Sequence, residues 1–358
     1  MGWFKIGDLF TLQMGKTPAR SNSSFWGNGH IWVSISDLSN CNKYIASSRE
    51  LITDDAVQES GIRIVPQGTL IMSFKLSLGK TAITASNLYT NEAIMAFIDK
   101  KIVPLDINYV YHLFNNWDWS RATNKAVMGL TLNKATLSQI KIPIPSLNTQ
   151  KAIANILDKI DESITLRKRQ LEIFNQLVKS RFLELFGDPN DVSILSLPGE
   201  KKSIEDVCDG IYGGGTPSKS HKEYYTGKIP WVTPKDMKTL SIDDSQNHIN
   251  SEAIENSTAK LIPKRCVLMV IRSGILKHTL PVAINNVEVT INQDMKAFVP
   301  SSLITPEYLL YTFKLMEKSI LSKVRGVTAD NIEFSEFRKR RIVVPPIEVQ
   351  TQFVDFAL

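Results

Sequence analysis

Cations, hydroxyls and glycines recur together at four places: Gly15-Lys16-Thr17-Pro18-Ala19-Arg20, Lys75-Leu76-Ser77-Leu78-Gly79-Lys80, Gly215-Thr216-Pro217-Ser218-Lys219 and Arg272-Ser273-Gly274-Ile275-Leu276-Lys277-His278. Glycine lets such a loop approach a ligand closely. Lys, Arg and Thr supply donors for phosphate oxygens, and Arg and Lys also match the O6 and N7 edge of guanine in a major groove. The chemistry these residues suit is contact with a nucleic-acid backbone and its base edges. Lys16, Thr17, Arg20, Lys75, Lys80, Lys219, Lys235, Arg272, Lys277 and His278 are the candidate contacts. Any single loop also reads as an ordinary solvated turn, but four in two matched pairs favour the binding role.

Catalytic signatures do not accompany these loops. The sequence holds no GxxxxGK[ST] phosphate loop, no GxGxxG opening a helix, no GxSxG elbow and no HExxH zinc helix. Asp188-Pro189-Asn190 only superficially matches the motif with which amino-methyltransferases hold a target amine. His30, His112, His221, His248 and His278 form no ligand-spaced pair, so each is expected at the surface or in a loop, and no metal site is assigned. Cys41, Cys208 and Cys266 form no CxxC, which fits buried thiols in a reducing compartment. Asp54-Asp55 and Asp243-Asp244 read as solvated turns. Arg338-Lys339-Arg340-Arg341 reads equally as a solvated face or a backbone-binding patch. Trp26, Trp32 and Trp231 are expected in the core, Trp117 and Trp119 as surface anchors. With no nucleophile, base or cofactor cradle to name, the chain reads as a binding protein and not an enzyme.

The elements that must position these loops come in two copies. The chain has 358 residues, 43% hydrophobic and 22% charged, with a formal net charge of +6. Such values exclude disorder and suit two or three domains. No apolar run approaches the roughly 20 residues that span a bilayer, so the protein is expected in the cytoplasm. A shift of about 199 residues superposes Thr17-Pro18 on Thr216-Pro217, Trp32-Val33 on Trp231-Val232, Asp37 on Asp236 and Tyr109 on Tyr308. Ala96-Phe97 then falls on Ala297-Phe298, Gly129-x-Thr131 on Gly326-x-Thr328, and IPIPSLNTQ (142–150) on VVPPIEVQ (343–350). Runs such as IWVSISDL (31–38), GTLIMSF (68–74), RCVLMVI (265–271) and PVAINNVEV (281–289) read as strands. INYVYHLFNNW (107–117) and PEYLLYTFKLM (306–316) read as helices. The fold class is therefore α+β: two tandem, similar, mixed α/β domains.

Between the copies, residues from Asn148 to Phe186 read as one long helix stopped by Gly187 and Pro189. Ile153, Leu157, Ile160, Ile164, Leu171, Phe174 and Val178 follow the alternating steps of four and three of a coiled-coil seam. Arg167 and Arg181 take two seam positions, and the opposite face is charged. At about 1.5 Å per residue the helix is a rod of about 58 Å. It is expected to hold the domains at a fixed separation. The second copy leads into a similar start, Pro345-Pro346-Ile347-Glu348-x-Gln350, of which a turn or two is expected by Leu358. A seam this long needs a partner helix, expected either from a continuation of this chain beyond Leu358 or from another chain. The expected organisation is a first domain over 1–147, the spacer helix over 148–187, a second domain over 188–345 and the start of a distal helix over 346–358.

This arrangement resembles the specificity (S) subunit of type I restriction-modification systems along essentially its whole length. The resemblance is carried by the Gly-x-Thr-Pro loops, Trp32 to Asp37 and Trp231 to Asp236, LIMSFKLSLGKTAI (70–83), GLTLNKATLSQIKIPIPSLNTQKAIANILDKID (129–161) and GVTADNIEFSEFRKRRIVVPPIEVQ (326–350). It implies two target recognition domains, each reading one half of a split double-stranded DNA site, with helices fixing the unread spacer. It also implies partners: two methylation subunits and the restriction subunits, which carry the chemistry. The chain departs from the family in its short distal helix, which makes self-association through the unpaired spacer helix the other implied contact. A protein-binding scaffold with no nucleic-acid role is the reading from another class.

Overall fold

The computed structural model describes residues 2–75, 77–119, 132–191, 199–324 and 330–357. Leu76 and the two repeat anchors Gly129-x-Thr131 and Gly326-x-Thr328 lie outside the described residues. The chain divides into two compact units, Met1–Arg167 and Lys168–Leu358.

In the first unit a five-stranded sheet runs in the order Phe10–Met14, Ile94–Asp99, Leu70–Ser73, Thr81–Thr84, Tyr44–Ile45. Its pairs are antiparallel except the last, which is parallel. The strands Leu70–Ser73 and Thr81–Thr84 are buried at every position because both faces of the sheet are covered. Leu70, Met72, Met95 and Phe97 pack with Phe10, Val110 and Phe114. Their alternates Ile71, Ile94 and Ala96 pack with Val33, Leu38, Ile45 and Val65. A three-stranded sheet, Glu50–Ile52, Trp26–Val33, Tyr89–Thr90, stands beside it. Asp106 starts the helix Ile107–Asn115 by accepting from the backbone N–H of Asn108 and Tyr109 at 3.0 and 3.1 Å. The first strand, Gly2–Lys5, pairs antiparallel with the last, Lys141–Ile144.

The second unit repeats this order strand for strand. Its larger sheet is Cys208–Gly213, Met295–Pro300, Val267–Val270, Val282–Asn285, Ser241–Ile242. Its smaller one is His248–Ile249, Ile229–Val232, Thr290–Ile291, and Glu200–Ser203 pairs with Arg341–Val344. Even the corner before the central strand recurs. Gly68 (φ 75°) and Arg265 (φ 69°) hold the same left-handed conformation, and the Arg265 guanidinium pairs with the buried Glu307 carboxylate. The repeat read from sequence is therefore a repeat of topology.

Several expectations are corrected. The strand read over 31–38 ends at Val33, because Ser34 and Asp37 form a reciprocal cap that opens the helix Ile35–Asn40. Trp119 is no surface anchor: it is 5% exposed, stacks edge-on against Phe114 and donates to the Phe114 carbonyl at 2.9 Å. Trp117 is half-buried against the same core. His112 is 4% exposed, on the inner side of its helix, and not at the surface. Of the thiols expected to be buried, only Cys266 is; Cys41 and Cys208 are half-buried.

The spacer helix spans Leu147–Phe186, 40 residues. Gln150, fully buried, nails its first turn down: its carbonyl accepts from Asp106 N–H at 2.8 Å, and its amide donates to Pro104 and Pro145 carbonyls at 3.0 and 2.9 Å. Gln350 does the same for the helix Ile347–Ala357, with Thr305, Leu303 and Pro345 at 2.8, 3.0 and 2.8 Å. That helix is three turns long, more than the turn or two expected. It packs in the second unit on the far end of the spacer helix, where Phe353 meets Phe182 and Phe186 with ring centroids 5.3 and 5.6 Å apart.

Candidate nucleic-acid interface

In each unit the Gly-x-Thr-Pro loop is fastened to the sheets by the residues that repeat. Lys16 N–H donates to the Thr90 carbonyl at 2.8 Å, Trp32 Nε1 to the Lys16 carbonyl at 3.0 Å, and the Thr17 hydroxyl to the Glu92 carboxylate. In the second unit Gly215 N–H donates to Ile291 at 2.9 Å, Trp231 Nε1 to the Gly215 carbonyl at 3.0 Å, and Thr216 to the Gln293 amide oxygen. Glycine is required beneath both: a Cβ on Gly15 would lie 2.1 Å from the Thr90 carbonyl oxygen, and one on Gly214 2.0 Å from that of Asn292. The Trp-Val-x-x-x-Asp motif is thus a fastening. Asp37 and Asp236 complete it by accepting from the backbone N–H of Arg49 and Gln246 at 3.0 and 2.9 Å.

The other cationic loop of each unit arrives at the same turn. Phe74 N–H, leading into Lys75–Lys80, donates to the Ala93 carbonyl at 3.0 Å. Ile271 N–H, leading into Arg272–His278, donates to Asp294 at 2.8 Å. The turns Asn91–Ala93 and Asn292–Asp294 therefore gather two cationic loops each. Glu92, Gln293 and Asp294, which motif reading does not single out, hold Thr17, Thr216 and Arg272 at these turns, and their repeated Asn-Glu and Asn-Gln pairs are the available signal.

The side chains differ in how they are held. Arg20 forks onto the Glu50 carboxylate, one arm at 2.9 Å, with its guanidinium 3.8 Å from the Trp26 ring centroid. Lys16 donates to the Ser60 carbonyl at 2.5 Å and Lys80 to the Ser39 hydroxyl at 2.7 Å. Arg272 binds Asp294 at 2.6 Å, and Lys277 lies 3.9 Å from Asp330. Lys75 stands 5.3 Å over the Phe74 ring. Lys219, Lys235 and His278 are exposed. The Arg20 and Arg272 cations are thus preorganised against carboxylates that an incoming phosphate would have to displace. Of the basic run, Arg338 pairs with Glu205 at 3.4 Å and Arg340 donates to Ser319 Oγ at 3.1 Å, while Arg341 stays exposed. Among the described residues no group of three His, Cys, Asp or Glu could hold a metal ion, and no helix is long and apolar enough to cross a membrane.

Along the spacer helix the seam is open in the middle. Ile160, Ile164, Leu171 and Phe174 are exposed, Leu171 to 62%, with Ile153 less so and Leu157 and Val178 half-buried near the ends. A second apolar stripe, not foreseen, is formed by Leu166, Ile173 and Leu177, seven and four residues apart and also exposed. The helix therefore presents two strips for packing.

Comparison with known proteins agrees with this architecture. The chain is 27% identical to the MjaIX specificity subunit of Methanocaldococcus jannaschii over 98% of its own length and 84% of that protein. It is 34% identical to the EcoR124I/EcoR124II specificity subunit of Escherichia coli over 61% of its length and 55% of that protein. The solved S subunit from M. genitalium shares the fold, with a TM-score of 0.59 at 14% identity, covering 100% of this chain and 88% of that one. The family model for the type I restriction modification DNA specificity domain matches twice, over residues 1–174 and 198–356, once for each copy of the repeat: the chain belongs to the type I restriction-modification DNA specificity family.

Proposed function

We propose that this chain reads a bipartite, asymmetric DNA site, one half through residues 1–147 and the other through 188–345, with the spacer helix setting the unread gap. The observation that carries this reading is the doubled site. Each unit gathers two cationic loops at one turn on the same framework, yet the side chains on the loops differ, so two different half-sites are read. Arg20, Lys16, Thr17, Lys75 and Lys80 serve the first half, and Lys219, Lys235, Arg272, Lys277 and His278 the second. The chain itself catalyses nothing. Two methylation subunits and the restriction subunits supply that chemistry in the cytoplasm, and the open seam is covered by a helix of a methylation subunit or of a second copy.

Fluorescence anisotropy with random duplexes across a salt series tests the DNA reading, since each phosphate contact contributes about 0.9 to the slope of log K against log salt. Selection on randomised duplexes then tests the division of labour. Lys75→Ala or Lys80→Ala should change preference at one half-site only, and Arg272→Ala or Lys277→Ala at the other. A contact to a base edge costs about 1–3 kcal/mol at its position, whereas a phosphate contact weakens all sequences alike. A salt-independent or absent interaction contradicts the DNA reading, and a single substitution that blurs both half-sites contradicts independent domains.

A further inference from the structure

The two units do not grip their helices in the same way. Beyond the shared glutamine, the first unit holds the spacer helix by an ionic knot at Asp158. One carboxylate oxygen of Asp158 accepts from Lys43 Nζ at 2.5 Å and from His112 Nε2 at 2.7 Å, while His112 Nδ1 lies 3.8 Å from Asp161. Lys43 and His112 come from different elements. Lys43 precedes the strand Tyr44–Ile45, and His112 sits on the helix Ile107–Asn115. Each is held before it reaches the aspartate: the Lys43 ammonium lies 5.6 and 5.5 Å from the ring centroids of Tyr44 and Tyr111, and His112 is almost wholly buried.

The knot is not part of the repeated framework. Ile83 N–H donates to the Lys43 carbonyl at 2.8 Å and Ile284 N–H to the Leu240 carbonyl at 2.9 Å, so Leu240 takes the place of Lys43 in the second unit. His112 lies three residues after Tyr109, and Tyr311 lies three after Tyr308, whose hydroxyls make the same bond to Pro143 and Val343 carbonyls at 2.9 and 2.8 Å. An apolar and an aromatic residue thus stand where the first unit has two cation-forming side chains.

Position along the helix gives the knot its leverage. From Lys159 to Leu177 every residue of the helix is exposed. From Asp158 to Phe182 the helix runs about 36 Å at 1.5 Å per residue. A swing of about 10° at Asp158 therefore displaces the far end by about 6 Å, close to two base pairs at roughly 3.4 Å each. Gln150, one turn into the helix, and Ala154, packed in the first core, hold its start. Asp158, eight residues past Gln150, adds a directional polar attachment at the last point before the helix becomes exposed.

We propose that Asp158 is a positioning residue for spacer-length discrimination, fixing the direction in which the spacer helix leaves the first domain through Lys43 and His112. This rests on the reading of the helix as the spacer element. The test uses the full chain on duplexes carrying both selected half-sites with the gap lengthened or shortened by one and two base pairs, read by competition binding, with the melting temperature followed in parallel. In the unaltered chain the best gap should be preferred at least tenfold over its neighbours. Asp158→Ala should flatten that preference to within about threefold while the bases preferred in each half-site stay the same. Lys43→Met, a change at a loop side chain, should do likewise should the aspartate variant fold poorly, and the reversal Lys43→Asp with Asp158→Lys should restore at least part of the preference. A purely structural role would lower the melting temperature and leave the gap preference intact, and that result overturns the proposal alone. An unaltered chain that binds both half-sites without regard to the gap overturns the spacer reading and this proposal with it.

Discussion

At the scale of single residues, the cations of the proposed interface are defined as much by their acidic neighbours as by their own charge. Arg20 is committed to Glu50 and Arg272 to Asp294. Glu50→Gln should free the Arg20 guanidinium for phosphate. Anisotropy should then show tighter binding to random duplex at low salt and a slope steeper by about one contact. Asp37, by contrast, is spent on its own loop, and its replacement should lower stability without touching the salt slope. The thiols give a second test. Burial pushes Cys208 up to about 12 and Cys266 up to about 11. Near pH 8 only about one part in ten thousand and one in a thousand of each is thiolate, the reactive form. Native labelling of Cys208 and Cys266 by a thiol reagent should therefore be slow and rise about tenfold per pH unit through pH 10, whereas both should react at once in the unfolded chain. A fast native reaction at pH 8 from either cysteine contradicts their enclosure.

At the scale of elements, the helix that joins the copies is legible because its apolar residues keep a period of 3.5 while the opposite face is too charged for the competing reading, a helix buried in one core. Its second stripe was not. Leu166, Ile173 and Leu177 are interrupted by Ser163 and Gln170, and a half-filled heptad disappears among charges. The short helix Ile35–Asn40 was misread for a different reason: its first turn continues the apolar alternation of the strand before it, and only the Ser34–Asp37 cap separates them. Trp119 and His112 were misplaced because their burial depends on partners, Phe114 and Asp158, that no local pattern announces. Pairing across sequence, as between Arg20 and Glu50, is invisible for the same reason. The helix itself makes a sharp prediction. Inserting one heptad between Leu157 and Phe174 keeps the seam in phase and adds about 10.5 Å, so the preferred gap should grow by about three base pairs with both half-sites unchanged. Two inserted residues rotate everything beyond them by about 200° and should abolish two-part recognition. Selection on duplexes of graded gap length distinguishes these outcomes from an unaltered gap, which refutes the ruler.

For the whole molecule, duplication divides labour between what is copied and what is not. The copied bonds, from Trp32 and Trp231 to their loops and from Gln150 and Gln350 to their helix starts, build the platform. Removing either glutamine side chain should cost about 1–3 kcal/mol in chemical denaturation for the buried groups left unpaired. What is not copied, at Lys75 and Arg272 or at Glu92 and Gln293, is where the two units can differ in what they recognise. The antiparallel ribbons Gly2–Lys5 with Lys141–Ile144 and Glu200–Ser203 with Arg341–Val344 carry one more consequence. The ends of each copy lie side by side in one register, Lys5 facing Lys141 and Ser203 facing Arg341, so the stretch between them enters and leaves through a single ribbon. Exchanging the stretch between Lys5 and Lys141 for the one between Ser203 and Arg341 cuts no sheet. The resulting chain should melt cooperatively and select DNA in which one half-site occurs twice. What the exchange does replace is the grip on the spacer helix, because Leu240 and Tyr311 arrive where Lys43 and His112 met Asp158.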